Sequence, residues 1–167
     1  MALIDKTTSS GSQEEIGERT TSKQVELRLP SRLGYEKVAM NTAANLARLM
    51  GFSEERIEDL KTAVAEACIN AMEHGNKLDE SLSVGVILST GPDSLEVTIT
   101  DTGSGPARSI NSDPLPPDID KKMNEQELAR GMRMFLIRAL VDEAEWISTP
   151  PAGSCARMVI HLHQAPV

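Results

Sequence analysis

Apolar and polar positions divide the chain into segments of two periods with irregular stretches between them. Residues 24–29 (QVELRL) alternate polar and apolar, which predicts a strand. Pro30-Ser31-Arg32 ends it. From Tyr35 to Met50, Val38, Ala39, Thr42, Leu46 and Leu49 recur at turn spacing, so a helix is expected, stopped by Gly51 at the C′ position. Ser53-Glu54-Glu55-Arg56 opens a second helix, with Ser53 as N-cap and acids in the first turn. Its apolar stripe runs through Ile57, Leu60, Val64, Ala67 or Cys68, and Ala71, and it ends at Gly75-Asn76. Strands are expected over 81–89 and 94–100, joined as a hairpin by Gly91-Pro92-Asp93.

Residues 106–130 carry Pro106, Pro114, Pro116 and Pro117 and no core pattern. A connection of that length is functional or mobile, often a lid. Met132 to Val141 is apolar nearly all round and reads as a buried helix. Strands over 144–148 and 157–162 close the chain. Residues 1–22, rich in Ser, Thr, Glu and Gln with no period, are expected to be a disordered tail, and 23–167 one domain. Hairpin connections between the strands predict an α+β fold. It is a two-layer α/β sandwich whose mixed, mostly antiparallel sheet carries its helices on one face.

Composition narrows the function. The 167 residues are 40% hydrophobic but only 2% aromatic, so the core must be aliphatic. The net charge of −8, with no basic cluster longer than Lys121-Lys122, argues against nucleic acid as a direct partner. It weakly favours a basic protein partner. No apolar run approaches the roughly 18 residues that span a membrane, and the N-terminus has no secretory apolar region. A cytoplasmic protein without membrane contact is expected. Cys68 and Cys155 read as buried thiols in a reducing compartment. Among the His and Cys residues only His161-x-His163 has zinc-ligand spacing, and on a strand that pair simply shares a face.

Three motifs carry candidate chemistry. In the second helix Glu66, Asn70 and His74 follow at i, i+4 and i+8, one stripe on the polar side. A carboxylate and an amide oxygen stacked in this way can hold a hydrated hard cation such as Mg²⁺, though a solvated helix face has the same pattern. Asp101-Thr102-Gly103-Ser104-Gly105 follows a strand end. The Asp can accept from an exocyclic amine such as adenine's, and the glycines admit close backbone approach; the same residues also make an ordinary turn. The third motif is Arg130-Gly131-Met132-Arg133-Met134, read as the start of the buried helix, with Asp142-Glu143 at its end. Both placements oppose the helix macrodipole. A phosphate at that N-terminus would resolve the first, as would pairing with lid acids such as Glu125 and Glu127.

In this order the motifs resemble the Bergerat-type ATP-binding fold shared by gyrase, histidine kinases and MutL. Within it the chain is most similar to the small anti-sigma factor serine kinases, over roughly residues 22–164, and a stand-alone kinase without the transducer, phosphotransfer or sensor module of the larger members is expected. The resemblance implies ATP and Mg²⁺ as cofactors. It implies Glu66 as catalytic base and Asn70 as the residue holding the metal. It makes Asp101 the reader of adenine, with Gly103 and Gly105 shaping the pocket wall. Residues 106–131 would be the ATP lid, and His74, Arg130, Gly131, Met132 and Arg133 would face the nucleotide. Gly153-Ser154 matches a Gly-Thr pair whose hydroxyl supports the adenine-reading Asp.

The implied partners are a STAS-type anti-anti-sigma protein and a sigma factor, with homodimer formation possible in such a system. One position departs: the family has Gly-Leu-Gly-Leu or Gly-Met-Gly-Met where this chain has Gly131-Met132-Arg133-Met134. Arg133 binds the γ-phosphate, the role favoured here, obstructs the pocket, or lies on the surface that meets a partner. The expected function is accordingly a serine kinase, and the alternative a degenerate kinase fold that only grips partners.

Overall fold

The computed structural model describes residues 22–103, 124–148 and 153–163. Its elements are β1 (Lys23–Pro30), α1 (Glu36–Met50), α2 (Glu54–Asn70) continued by a π turn (Ala71–Gly75), β2 (Ser83–Thr90), β3 (Ser94–Thr100), α3 (Glu125–Leu140), β4 (Glu143–Ser148) and β5 (Ser154–His161). The expected element order holds. The five strands form one sheet in the order β1-β2-β3-β5-β4, and every neighbouring pair is antiparallel. The expected parallel admixture is absent among the described strands: β4 follows β3 in the chain but lies one strand away, and β5 fills the place between them antiparallel to both. The tail expected over 1–22 lies outside the described residues apart from Ser22.

The register fixes which side chains are buried. Leu27 faces Val86, Val86 faces Ile99, Ile99 faces Ala156 and Ala156 faces Trp146. Val25, Leu88, Val97, Met158 and Ala144 form the next row. Alternate residues show the other face, where Thr98, Arg157 and Glu145 stand in line. Arg157 pairs there with Glu96 at 2.7 Å. Such opposite-charge cross-strand pairs stabilise a sheet modestly. A one-residue slip would turn the whole aliphatic row to solvent. Leu88, Leu95, Ile99, Met158 and Ile160 are fully buried, and each contributes about 1.5–3 kcal/mol by leaving water.

The helices close the inner face, with α2 between α1 and α3. Gly51 ends α1 at φ 89°, in the left-handed region, and its neighbour Phe52 donates back to Ala47 O. Ser53 Oγ accepts from Arg56 N as the expected N-cap. Both apolar residues left open for α2, Ala67 and Cys68, are buried. In α1 the buried face is Ala39, Ala43, Ala44 and Ala47, whereas Val38 and Leu49 of the expected stripe are exposed, Leu49 by 85%. Alanines let α1 approach closely, so helix packing selects the face of small side chains over the face of large ones.

The expectation for α3 needs two corrections. The helix starts not at Met132 but at Glu125, where Asn124 Oδ1 accepts from Glu127 N as N-cap. Glu125 and Glu127 occupy its first turn and Arg138 its last, so the macrodipole is satisfied at both ends. Arg130 and Arg133 stand in the helix interior, and residues 125–131 of the expected lid are helical. The remainder of that lid, apart from Asn124, lies outside the described residues. Nor is α3 buried all round: Met134 and Ile137 are, while Met132, Phe135 and Leu136 are 51%, 40% and 38% exposed.

Candidate functional site

The end of α2, the end of β3 and the start of β5 converge on one cleft, with α3 as its fourth wall. Asn70, His74, Asp101, Arg130 and Ser154 line it, together with Trp146 and Met134. Five of the candidates, drawn from four separate segments, therefore meet at one place. Glu66 stands one turn before Asn70 on α2, outside the lining itself. Gly103, Gly131, Met132 and Arg133 also lie outside the lining, and Gly105 lies outside the described residues.

The last turn of α2 explains how Asn70 and His74 share the cleft. Asn76 N–H donates to Ala71 O at 2.9 Å, the i→i+5 bond of a π turn. Single π turns inside α-helices recur at functional sites. Two side-chain atoms there are buried without a hydrogen-bond partner, Asn70 Oδ1 and His74 Nε2. A buried acceptor without a donor costs about 1–3 kcal/mol unless something binds it. Burial holds His74 below its ordinary value, and the charges of Arg130 and Arg133 act in the same direction against Glu73. The orphaned amide oxygen of Asn70 suits a hard, oxygen-seeking cation such as Mg²⁺.

Asp101 is held by backbone on three sides. Its Oδ1 accepts from Gly103 N and from Ser154 N, each at 3.2 Å. Its own N–H donates to Ser154 O at 3.0 Å. Both accepted bonds fall on one carboxylate oxygen. Burial pushes the carboxyl above its ordinary range, opposed by the two N–H groups and by the Arg130 charge. The expected hydroxyl support from Ser154 is not what the structure has. Ser154 Oγ meets Ser148 Oγ at 3.4 Å, and the backbone N–H reaches Asp101. The backbone turns at Gly153, φ 95°, so a main-chain donor takes the role expected of the side chain.

Glycine packing makes this geometry possible. A Cβ on Gly75 would lie 2.2 Å from Asp101 Cγ, and one on Gly103 would lie 1.5 Å from Gly75 O. Asn76, buried beside them, accepts from Thr102 N at 3.0 Å and donates to Ser31 Oγ and Ser83 O. Sequence reasoning passed over Asn76 and Trp146. Asn after Gly at a helix end reads as a cap, and one Trp in a strand reads as core. Only the pairing of β4 with β5 brings Trp146 to the cleft.

Arg133 does not face the cleft as favoured. Its Nε lies 3.2 Å from Glu66 Oε2 and its Nη1 2.5 Å from Glu73 Oε2. Glu66 and Glu73 are two helical turns apart on one face of α2, and the guanidinium fork spans them. All three side chains are about a quarter exposed.

Comparison with known proteins agrees with this architecture. A model of the histidine kinase-like ATPase domain matches residues 29–160. The chain belongs to that family. Curated relatives include the serine-protein kinase RsbW of Bacillus cereus strain Q1, 31% identical over 124 residues, which span 74% of this chain and 76% of that one. RsbW of Bacillus subtilis strain 168 is 30% identical over 125 residues, 75% and 78% of the two chains. The family's fold appears again in the crystal structure of the RsbU and RsbW domains of a Mycobacterium tuberculosis protein. That likeness has a TM-score of 0.56 at 18% identity, and it covers 86% of this chain and a third of the longer one. Among the described residues no helix is long and apolar enough to cross a membrane.

Proposed function

We propose that the chain is an ATP-dependent serine kinase that works by partner switching. It transfers the γ-phosphoryl group of ATP to a serine of a STAS-type anti-anti-sigma protein and otherwise sequesters a sigma factor in the cytoplasm. The observation that carries this reading is the convergence of Asn70, His74, Asp101 and Arg130 on one cleft, with two buried polar atoms there left for a ligand. RsbW-named serine kinases among the relatives support it.

Phosphoryl transfer asks the protein mainly for positioning and charge stabilisation. Asp101 takes the adenine amine on the carboxylate oxygen that its backbone bonds leave open. Mg²⁺, when bound, neutralises the triphosphate, and Asn70 Oδ1 is the ligand this chain offers it. Arg130 and the His74 ring line the same cleft and supply charge and hydrogen bonding to the phosphates. Glu66 accepts the proton of the incoming serine hydroxyl. The serine oxygen bonds to the γ-phosphorus as the bond from phosphorus to the bridging oxygen breaks, and ADP leaves. A positioned base contributes about 10²–10⁴-fold.

One observation favours the second reading, a binding module without phosphoryl transfer: Arg133 engages Glu66. Incubating the protein with ATP, Mg²⁺ and a STAS-type protein separates the two. Phosphoserine detected on the STAS protein by mass spectrometry is the expected result. Its absence, with complex formation retained, establishes the binding module instead.

A further inference from the structure

Arg133 stands between two carboxylates, one of which is the proposed base, and it does so from a helix whose neighbouring residues Arg130 and Met134 line the cleft. Its charge is felt at His74, which also lines the cleft. Asn70 lies on α2 between Glu66 and Glu73, so the guanidinium crosses the flank of the cation-binding position. A glycine at 133, the residue of the family pattern, could make none of these contacts.

We propose that Arg133 is an exchangeable partner of the base: Glu66 and Glu73 share it in the nucleotide-free chain, and the terminal phosphate of a nucleoside triphosphate draws it away. The proposal rests on the kinase reading above and adds to it a residue that reads triphosphate against diphosphate and uncovers the base only in the loaded site. With Arg133 in place, an oxygen of Glu66 that must take the serine proton is already occupied by a donor. The triphosphate offers a dianionic group that competes for a bidentate guanidinium better than two separate, quarter-exposed carboxylates. The diphosphate ends one phosphate short, so its terminal group stops at the β position and the latch stays closed on the product. Glu73 therefore serves as the resting place of the arginine and is a positioning residue.

The readout is nucleotide affinity, independent of turnover. ATP and ADP are titrated calorimetrically, with Mg²⁺ present, into wild type, Glu73→Gln, Arg133→Met and the double variant. Glu73→Gln removes one competitor for Arg133 and is expected to raise the preference for ATP over ADP about two- to fivefold, the size of one partly exposed ion pair. In the Arg133→Met background the same change is expected to leave the preference unaltered. An unchanged preference in Glu73→Gln overturns the proposal, as does an equal change with and without Arg133. If Arg133→Met does not fold, Glu73→Gln alone decides. Wild type that binds neither nucleotide overturns the kinase reading and the latch together, whereas binding with flat ratios overturns only the latch.

Discussion

Replacing Asp101 by Asn tests the adenine-reading role without disturbing the backbone that holds it. Oδ1 carries both accepted bonds, from Gly103 N and Ser154 N, and an amide oxygen in its place keeps them. The amide nitrogen then occupies the position of Oδ2, and an amine donor meets a donor. The loss is one hydrogen bond to a charged group, about 1.5–3 kcal/mol, or roughly 10- to 150-fold in Kd. Stability should move the other way. Burial raises the carboxyl above its ordinary value of 3.8, so the folded chain holds its proton more tightly than the unfolded chain does. Its contribution to stability is then greatest in acid and falls as pH rises through the interval above 3.8. At neutral pH a neutral amide removes that penalty, and the nucleotide-free variant should melt at the wild-type temperature or above it. Calorimetric titration with ATP and ADP, beside thermal melts without nucleotide, reads both quantities. Affinity within about twofold of wild type, or a loss accompanied by a lower melting temperature, would refute the ligand role and leave Asp101 a structural residue.

Four further outcomes are expected. Glu66→Gln also frees Arg133, so it should bind ATP about two- to fivefold more tightly than wild type and lose about 10²–10⁴-fold in phosphoryl transfer, measured on a STAS-type substrate, while Asn70→Ala should lose the Mg²⁺-dependent part of ATP affinity. The His74 imidazole is held below 6.5, so its contribution to stability is full above that pH and is lost as pH falls through it. Urea midpoints of the nucleotide-free protein should therefore drop on acidification below 6.5, less so in His74→Gln. Gly75→Ala puts a Cβ 2.2 Å from Asp101 Cγ; it should cost about 1–3 kcal/mol of stability by overpacking and weaken nucleotide binding, both checked by urea unfolding and titration.

The element order and the positions of Glu66, Asn70 and Asp101 were legible because each depends on short-range signals. Ser53 caps, Gly51 stops, and alternation marks the strands. What the sequence left unread depends on packing. Val38 and Leu49 looked like a buried stripe, yet α1 buries four alanines because a close helix contact excludes large side chains. The start of α3 was misread because Glu125 to Arg130 holds only Leu128 and Ala129 as apolar residues, too few to show a period. Its cap, Asn124, was there to be seen, with Glu127 three residues on in the manner of a capping box. The role of the Ser154 hydroxyl was misassigned for a different reason. Sequence names side chains, and here the backbone does the binding.

Arg133 draws these points together. Read at a helix N-terminus, it was an unfavourable cation in search of a phosphate. The structure moves that N-terminus back to Glu125, and the reason for a phosphate there disappears. In the helix interior the arginine faces α2, where two acids at a seven-residue interval share one face. A glycine at 133 would leave Glu66 and Glu73, like charges two turns apart, without this partner. The substitution therefore changes the state of Glu66, the proposed base, before any nucleotide arrives. An arginine here commits the chain to one of two fates. Either a ligand can displace it and the base works under control, or nothing can and the fold has become a grip. The cleft supports the proposal of the first fate: Asn70 Oδ1 and His74 Nε2 remain buried and unpartnered. A fold that had given up its ligand would gain stability by losing those two atoms to apolar side chains.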